Sequence, residues 1–469
     1  MSNSPDDLPD DLAALDEQAR VCQKSGDLNA ALACYEKALR IDPRHHRAFS
    51  GMGMAFANAG WEEDAIRAFE TALAIEPDQL EAINGLGIQY KRQGRFDRAM
   101  AQFDHALALC PDDGEQRRGL QRNRAMVLGA LGRLDEEEAV YRKILARDPA
   151  DADAHSGLAS LLLLTGRLPE GWREYEWRFA TTGGAVRRPA SGLPRWSGET
   201  VARESSGLII YTEQGFGDAL QFSRFVPPVA ERFGRVRLYT RKPLWRLFEH
   251  SFGALAEVVA EDMNAKDESG FTHHCPLLSL PLALGTTLES IPADVPYIAA
   301  PPGLTEKWSA RLKPLPGRKV GVVWAGGEIY GFDRLRTVRL KQLESLLGIG
   351  GISWVSLQKG NSASQIAEEG LSDSMLNVMD ELDDFADTAA LIEALDLVIS
   401  VDTATAHLAG ALAKPVWLLN RAGSEWRWLL GRNDSPWYPT MRIFRQQQSR
   451  QWEPVVREVA EALQVAGGR

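Results

Sequence analysis

Four short segments in the second half of this 469-residue chain carry residue types that handle anions and protons. The first is Thr212–Asp218, TEQGFGD. Its glycines Gly215 and Gly217, with Gln214 between the loop's polar groups, let the backbone come close to a ligand. Glu213 and Asp218 supply carboxylates that can accept a proton. Asp218 reads equally well as the cap of the helix that follows. The second is Ala325–Arg336, AGGEIYGFDRLR. Gly326 and Gly327 open a loop, and Arg334, Arg336 and the nearby Arg339 carry charge suited to phosphate oxygens. The spacing is neither GxGxxG nor a P-loop, so a solvated basic loop is the competing reading. The third is Ser356–Gly360, SLQKG, which sets Gln358 and Lys359 at a strand end. Lys359 there can steady a diphosphate or lie exposed. The fourth is Ser400–His407, SVDTATAH. The hydroxyls of Thr403 and Thr405 fall at a helix N-terminus, where free N–H groups and the dipole favour an anion. His407 lies one turn on from Thr403, and either faces that anion or packs in the core.

These segments share a context. Gly207–Thr212, Val236–Thr240, Lys319–Trp324, Ser353–Leu357, Leu397–Val401 and Pro415–Leu419 are short apolar runs that read as buried parallel strands. Helical stretches such as Ala219–Phe233, Leu340–Leu347, Thr388–Leu395 and Ala404–Ala413 alternate with them. That order predicts βαβ units and doubly wound sheets, whose ligands sit at the C-terminal strand ends. All four segments lie at such ends. The Pro-rich stretch Ile291–Gly317 interrupts the series and reads as a hinge between two Rossmann-like lobes. His273–His274 lacks further ligands at metal-like spacing, and Cys275 beside them reads as a packed residue.

The first half has a different grammar. Ala31–Pro43 (ALACYEKALRIDP), Ala65–Pro77 (AIRAFETALAIEP) and Ala99–Pro111 (AMAQFDHALALCP) recur every 34 residues, and Ala139–Pro149 follows with a Pro offset of 38. Gly26, Gly60, Gly94, Gly132 and Gly166 mark the preceding turns. This period, with small residues, one aromatic (Tyr35, Phe69, Phe103, Tyr141) and a terminal Pro, is the tetratricopeptide signature. About five repeats are readable, and the last ends in the aromatics Trp172, Tyr175 and Trp177, expected to bury at a junction. A helical solenoid of this kind offers a groove for a protein or peptide.

Composition narrows the class. The chain is 25% charged and 44% hydrophobic, as expected of a folded protein. Lys+Arg is 53 against 64 Asp+Glu, a net charge of −11, which disfavours sequence-blind nucleic-acid binding. Four scattered cysteines, Cys22, Cys34, Cys110 and Cys275, suggest neither a disulfide framework nor a metal cluster. The acidic N-terminus lacks the features of a signal peptide, and no apolar run approaches the ~20 residues of a membrane span. A cytoplasmic location is the expectation.

The segments TEQGFGDALQFSRF, KVGVVWAGG, SLQKG, DDFADTAALIEALDLVISVDTATAHLAGAL and WRWLLGRNDSPWYPTMRIFRQ, with the D-R-x-R-T loop, resemble bacterial tetratricopeptide-repeat glycosyltransferases. The catalytic half resembles the family 9 heptosyltransferases and, in plan, the protein O-GlcNAc transferases. The resemblance implies a tetratricopeptide solenoid followed by an α/β GT-B module of two Rossmann-like lobes. It places the solenoid at residues 1–182, the acceptor-side lobe at 190–305, the nucleotide-sugar lobe at 306–449 and a helix crossing back to the first lobe at 450–469. Asp218 matches the family's catalytic base, with Glu213 as the rival. Asp402, Thr403 and His407 match its D-T-G-x-x-H donor motif, with Ala404 in place of Gly, and Arg336 falls near the basic donor-loop residue. With Gly326, Arg334, Gln358 and Lys359 these form the expected donor site, and Gln214, Gly215 and Gly217 the acceptor-side loop. Trp426 and Trp428 stand either beside the nucleotide base or in the core. The resemblance implies an inverting transfer with no bound metal or other cofactor, from a nucleotide-sugar to a protein such as flagellin, a CMP-linked nonulosonic acid being one donor. Transfer to a glycan or lipid-linked sugar, and a non-catalytic adaptor, are the alternatives.

Overall fold

The computed structural model describes residues 8–111, 114–181, 191–261, 267–327, 333–423 and 425–467. They form two compact units, Met1–Gly157 and Leu158–Arg469.

The first unit is a helical tetratricopeptide solenoid. Its helices Leu12–Ser25, Leu28–Ile41, His46–Ala59, Glu62–Ile75, Leu80–Arg92, Phe96–Leu109, Glu115–Ala130 and Leu134–Arg147 each pack on the next. The turn glycines hold left-handed backbone, with φ of 80° at Gly26 and 79° at Gly60, a conformation that lets the chain leave one helix and enter the next. The repeat aromatics then explain the small residues of the helices beside them. Tyr35 lies against Gly51, Phe69 against Gly53 and Gly85, Phe103 against Gly87, and Tyr141 against Gly157, each leaving no room for a Cβ. All four rings are buried, so interlocking of ring and glycine joins successive repeats.

The second unit begins within the helix Ala152–Leu164 and continues into the helix Leu168–Tyr175 and its 3-10 extension Glu176–Phe179. Two parallel sheets follow. The first contains β1 (Gly207–Tyr211), β2 (Arg235–Thr240), β3 (Glu257–Ala260) and β4 (His273–Pro276), in the order β3-β2-β1-β4. The second contains β5 (Arg318–Val323), β6 (Ile352–Ser356), β7 (Met375–Asn377), β8 (Leu397–Val401), β9 (Val416–Asn420) and β10 (Met441–Arg445), in the order β10-β9-β8-β5-β6-β7. Every ladder is parallel. Strand order therefore reverses between β1 and β4 in one sheet and between β5 and β8 in the other. Loops leaving the C-terminal ends at such reversals splay apart and form crevices.

Several sequence expectations differ from this structure. Strands β3, β4, β7 and β10 are short and mixed in polarity, so no apolar run announced them. The stretch Ala219–Phe233 is broken. It is helical over Phe216–Phe222 and Val226–Ala230, with a 3-10 turn over Ser223–Phe225 between them, as Pro227 and Pro228 withdraw two backbone donors. The Pro-rich Ile291–Gly317 contains a helix, Pro302–Leu312. Trp308 on it is buried, and Glu393 receives both the Ala300 N–H (3.0 Å) and the Thr305 hydroxyl (2.8 Å), so the stretch is anchored to the second lobe. The C-terminal helix Glu453–Gly467 does not cross back to the first lobe. Its apolar face, Val455, Val456, Val459 and Leu463, packs with Trp452 against strands β5, β8 and β10 of the second sheet.

Trp172 and Tyr175 are buried as expected, and Trp177 is half-buried. Trp172 meets Trp426 edge-on at 5.5 Å and Phe222 at 6.1 Å, and its indole N–H donates to the Thr286 carbonyl at 3.2 Å. One core thus joins this helical segment to both lobes. Arg224 reinforces the join. Its guanidinium donates to the Trp437 and Pro292 carbonyls at 2.6 and 3.1 Å and to the Tyr297 hydroxyl at 3.0 Å.

Candidate active site

The loop after β1 carries the first-lobe groups. Gln214 takes positive φ (58°), turning the chain sharply into the helix Phe216–Phe222. Its side chain is occupied by the Tyr175 hydroxyl, to which it donates at 2.9 Å. Glu213 turns away from the crevice. Its Oε1 accepts from Arg178 (2.7 Å) and from the Leu278 N–H (3.2 Å), and its Oε2 accepts from Arg178 at 3.1 Å. Burial pushes this carboxyl up, against the pull of Arg178. Glu213 therefore ties the loops after β1 and β4 together. Asp218 faces the other way. Its Oδ2 accepts the Gly215 N–H at 2.7 Å, and its Oδ1 pairs with Arg427 of the second lobe. The capping role read from sequence is present, together with a charge contact across the lobes.

The helix Ala404–Ala411 meets this loop from the second lobe. A Cβ on Gly217 would lie 3.0 Å from His407 Cδ2 and 3.5 Å from Ala404 Cα. Gly217 and Ala404 are small because two helix starts touch here. His407 is buried, hydrogen-bonded through Nδ1 to the Tyr438 hydroxyl at 2.9 Å and stacked on Trp428 at 5.1 Å. Burial, then Arg427, depress its pKa to about 3, so the ring is neutral at physiological pH. Its Nε2 is 3.9 Å from the Asp402 carboxylate. Thr403 stands at the N-cap position of that helix, its hydroxyl 3.0 Å from that of Ser400 and making no side-chain bond to the helix N–H groups.

The crevice between β5 and β8 is bridged by Arg336, whose Nη1 donates to the Asp402 carbonyl at 2.7 Å. Gly326 is small for a matching reason: a Cβ there would sit 2.5 Å from Arg336 Nε. The side chain of Arg334 lies outside the described residues. Gln358 is a brace. Its Oε1 accepts the Trp324 and Ala325 N–H groups at 3.1 and 2.9 Å, and its Nε2 donates to the Ala325 and Lys359 carbonyls. It holds the strand-end loop and has no group left for a ligand. Lys359 lines a separate cleft with Ser364, Asn377 and Asp380.

Sequence reasoning missed the groups at the centre. Arg427 is buried, and its guanidinium donates to Asp218, to Glu425 and, at 2.8 Å, to Gln221 Oε1. Burial pushes Glu425 up to about 7, with Arg427 opposing and the Asp402 and Asp218 carboxylates assisting. Arg421 follows β9 directly. Trp426 and Trp428, considered as stacking partners for a base, are 6% and 0% exposed and belong to the core. An Arg between two Trp was the available signal, since Trp neighbours bury the charge and burial demands carboxylate partners. Among the described residues no group of three or more His, Cys, Asp or Glu could hold a metal ion, and no helix is long and apolar enough to cross a membrane.

Residues 354–459 match the family model of glycosyltransferase family 9, the heptosyltransferases. Residues 12–45, 62–123 and 122–175 match tetratricopeptide-repeat models. The chain thus joins segments that match tetratricopeptide-repeat models to a C-terminal segment that matches the glycosyltransferase family 9 model. The matched span holds Asp402, Thr403, His407, Arg421, Glu425 and Arg427, whereas Asp218 and Arg336 lie before it. Protein FlbA of Caulobacter vibrioides is 33% identical over 327 residues, 65% of this chain and 54% of that relative. The match therefore spans about half the relative's length. Among solved structures, PilW, a type IV pilus biogenesis factor, is 25% identical over 36% of this chain and 78% of its own, with a TM-score of 0.34. YrrB, a tetratricopeptide-repeat protein with a peptide-binding site, is 21% identical over 37% and 87%, with a TM-score of 0.30.

Proposed function

We propose that the protein is a metal-independent, inverting glycosyltransferase that moves a sugar from a nucleotide-sugar to a hydroxyl on a protein engaged by the tetratricopeptide unit. The observation that carries this reading is the meeting of the Asp218 loop with the second lobe, where Gly217 lies against His407 and Ala404 at the start of Ala404–Ala411 and Asp218 pairs with Arg427. The family 9 match over the second lobe supports the reaction class.

In this reading Asp218 is the general base, kept in place by Arg427 and the Gly215 N–H. It takes the proton of the acceptor hydroxyl as that oxygen bonds to the anomeric carbon. The bond from that carbon to the phosphate oxygen breaks, and the electron pair leaves with the nucleotide. Arg336 and the N–H groups at the start of Ala404–Ala411 offset the charge that develops there. Asp218 is preferred to Glu213 because the Glu213 side chain is more deeply enclosed, 7% exposed against 17%, and faces Arg178 and the Leu278 N–H rather than the second lobe. Flagellin is the acceptor to which the sequence resemblance points, with a CMP-linked nonulosonic acid as one donor. Four free cysteines, three of them buried, suit the cytoplasm.

A thermal-shift panel of UDP, GDP, CMP, ADP and their sugars tests the donor half. A ligand at 100 times its Kd stabilises by about 2.7 kcal/mol, so one nucleotide series should raise the melting temperature. No shift with any of them would refute the donor reading.

A further inference from the structure

The buried and half-buried arginines of the second unit are almost all committed. Arg178 is spent on Glu213 and Ser279, Arg224 on backbone carbonyls and Tyr297, Arg336 on the Asp402 carbonyl, and Arg427 on Asp218, Glu425 and Gln221. Arg445 donates to the Arg432 carbonyl at 2.8 Å and to that of Trp428. Arg421 differs. It is half-buried, yet among the described residues its side chain has no hydrogen bond and no ion pair, which is also true of Arg318, but Arg318 begins β5 at the opposite end of the sheet from the crevice.

Its place in the fold gives that vacancy meaning. β9 lies beside β8 with Leu419 opposite Val401, so Arg421 leaves its strand next to Asp402 and Thr403, which leave theirs. Its guanidinium feels Asp402, Glu425 and Arg336 electrostatically but touches none of their charged atoms within ion-pair distance. A guanidinium has five N–H donors in a planar fork and matches the oxygens of a phosphate. Removing it from water without a partner is costly, and an anionic ligand in the crevice offsets that cost.

We infer that Arg421 is a phosphate-binding residue of the donor site, taking two oxygens of the nucleotide's phosphate group from the β9 side while Arg336 stands on the β5 side. Burial already holds the Arg421 guanidinium below its ordinary range, which a bound phosphate would reverse. This inference rests on the donor reading above. It adds a residue that neither the strand-end motifs nor the glycine loops pointed to.

Isothermal calorimetry on the full chain with UDP, GDP, ADP and CMP, and with the sugar nucleotide of whichever binds, is the test. Arg421→Gln should weaken the nucleotide about 10- to 100-fold, the usual worth of charge-assisted hydrogen bonds, and weaken its sugar nucleotide equally. Arg421→Lys keeps the charge but not the fork, so it should fall between, and it stands in if Arg421→Gln does not fold by circular dichroism. Equal affinity in wild type and both variants overturns the inference while leaving the donor reading standing. A loss confined to the sugar nucleotide moves Arg421 onto the sugar and overturns the phosphate assignment. No binding of any nucleotide to the wild type removes the donor reading and this inference together.

Discussion

Replacing Asp218 by Asn separates the two things this side chain does. In the structure one oxygen caps the Gly215 N–H at 2.7 Å and the other pairs with Arg427. The amide oxygen of Asn can keep the cap. Its NH₂ must then face Arg427, donor against donor, so the ion pair is lost. Breaking a buried pair costs ~3–5 kcal/mol. This pair is partly exposed, with 17% and 10% of the two side chains open, and Glu425 and Gln221 still hold Arg427. The stability loss should therefore be about 1–2 kcal/mol. Loss of a general base costs ~10²–10⁴-fold in rate, equal to about 3–5 kcal/mol of barrier. The kinetic effect should exceed the thermodynamic one. Melting, nucleotide affinity and turnover measured on one preparation check it. Turnover near normal with a lowered melting temperature would refute the base assignment and leave Asp218 as a cap and lobe contact only.

The other predictions follow from the same contacts. Gly217→Ala places a methyl 3.0 Å from His407 and should cost about 1–3 kcal/mol by overpacking, read by urea denaturation; unchanged stability would mean that the two helix starts do not meet this closely. Glu213→Gln strips one of two carboxylate partners from Arg178, which is 5% exposed and keeps Glu176 at 3.0 Å; stability should drop by about 1–3 kcal/mol while the folded variant keeps its turnover, and a rate loss without unfolding would restore Glu213 as the base. His407 has a folded pKa of about 3 against an ordinary 6.5. Its neutral form contributes stability that is fully present above pH 6.5 and is lost as pH falls toward 3. Replacing it by Phe should flatten that acid limb in melting curves taken against pH, and an unchanged limb would contradict the depressed pKa.

What the sequence revealed and what it hid divide along a physical line. The repeats were legible because 34-residue spacing ties each aromatic to a small residue in an adjacent helix, and both ends of that contact recur along the chain. The six strands read correctly are short, largely apolar runs with most of their residues buried. Strands β7 and β10 were missed because edge strands need not be apolar throughout. At the candidate site, the sequence pattern placed the segments after β1, β5 and β8 at strand ends, where the structure has them. It did not reveal direction. Glu213 and Asp218 are five residues apart, and one faces Arg178 while the other faces Arg427. Gln358 looked like a ligand group, yet two backbone N–H groups at the end of β5 lacked acceptors and claimed it. Arg427 escaped notice because its partner Asp218 is 209 residues away, a separation over which no local pattern operates.

The central claim is sugar transfer to a protein hydroxyl with Asp218 as base. Intact-mass spectrometry of flagellin, incubated with the full-length protein and the nucleotide sugar selected by the thermal-shift panel, tests it most directly. The account predicts a mass increase of one sugar per modified site with the wild type and a rate lower by ~10²-fold or more with Asp218→Asn. A flagellin mass that stays unmodified under donor saturation, or one that rises equally with the variant, would contradict it.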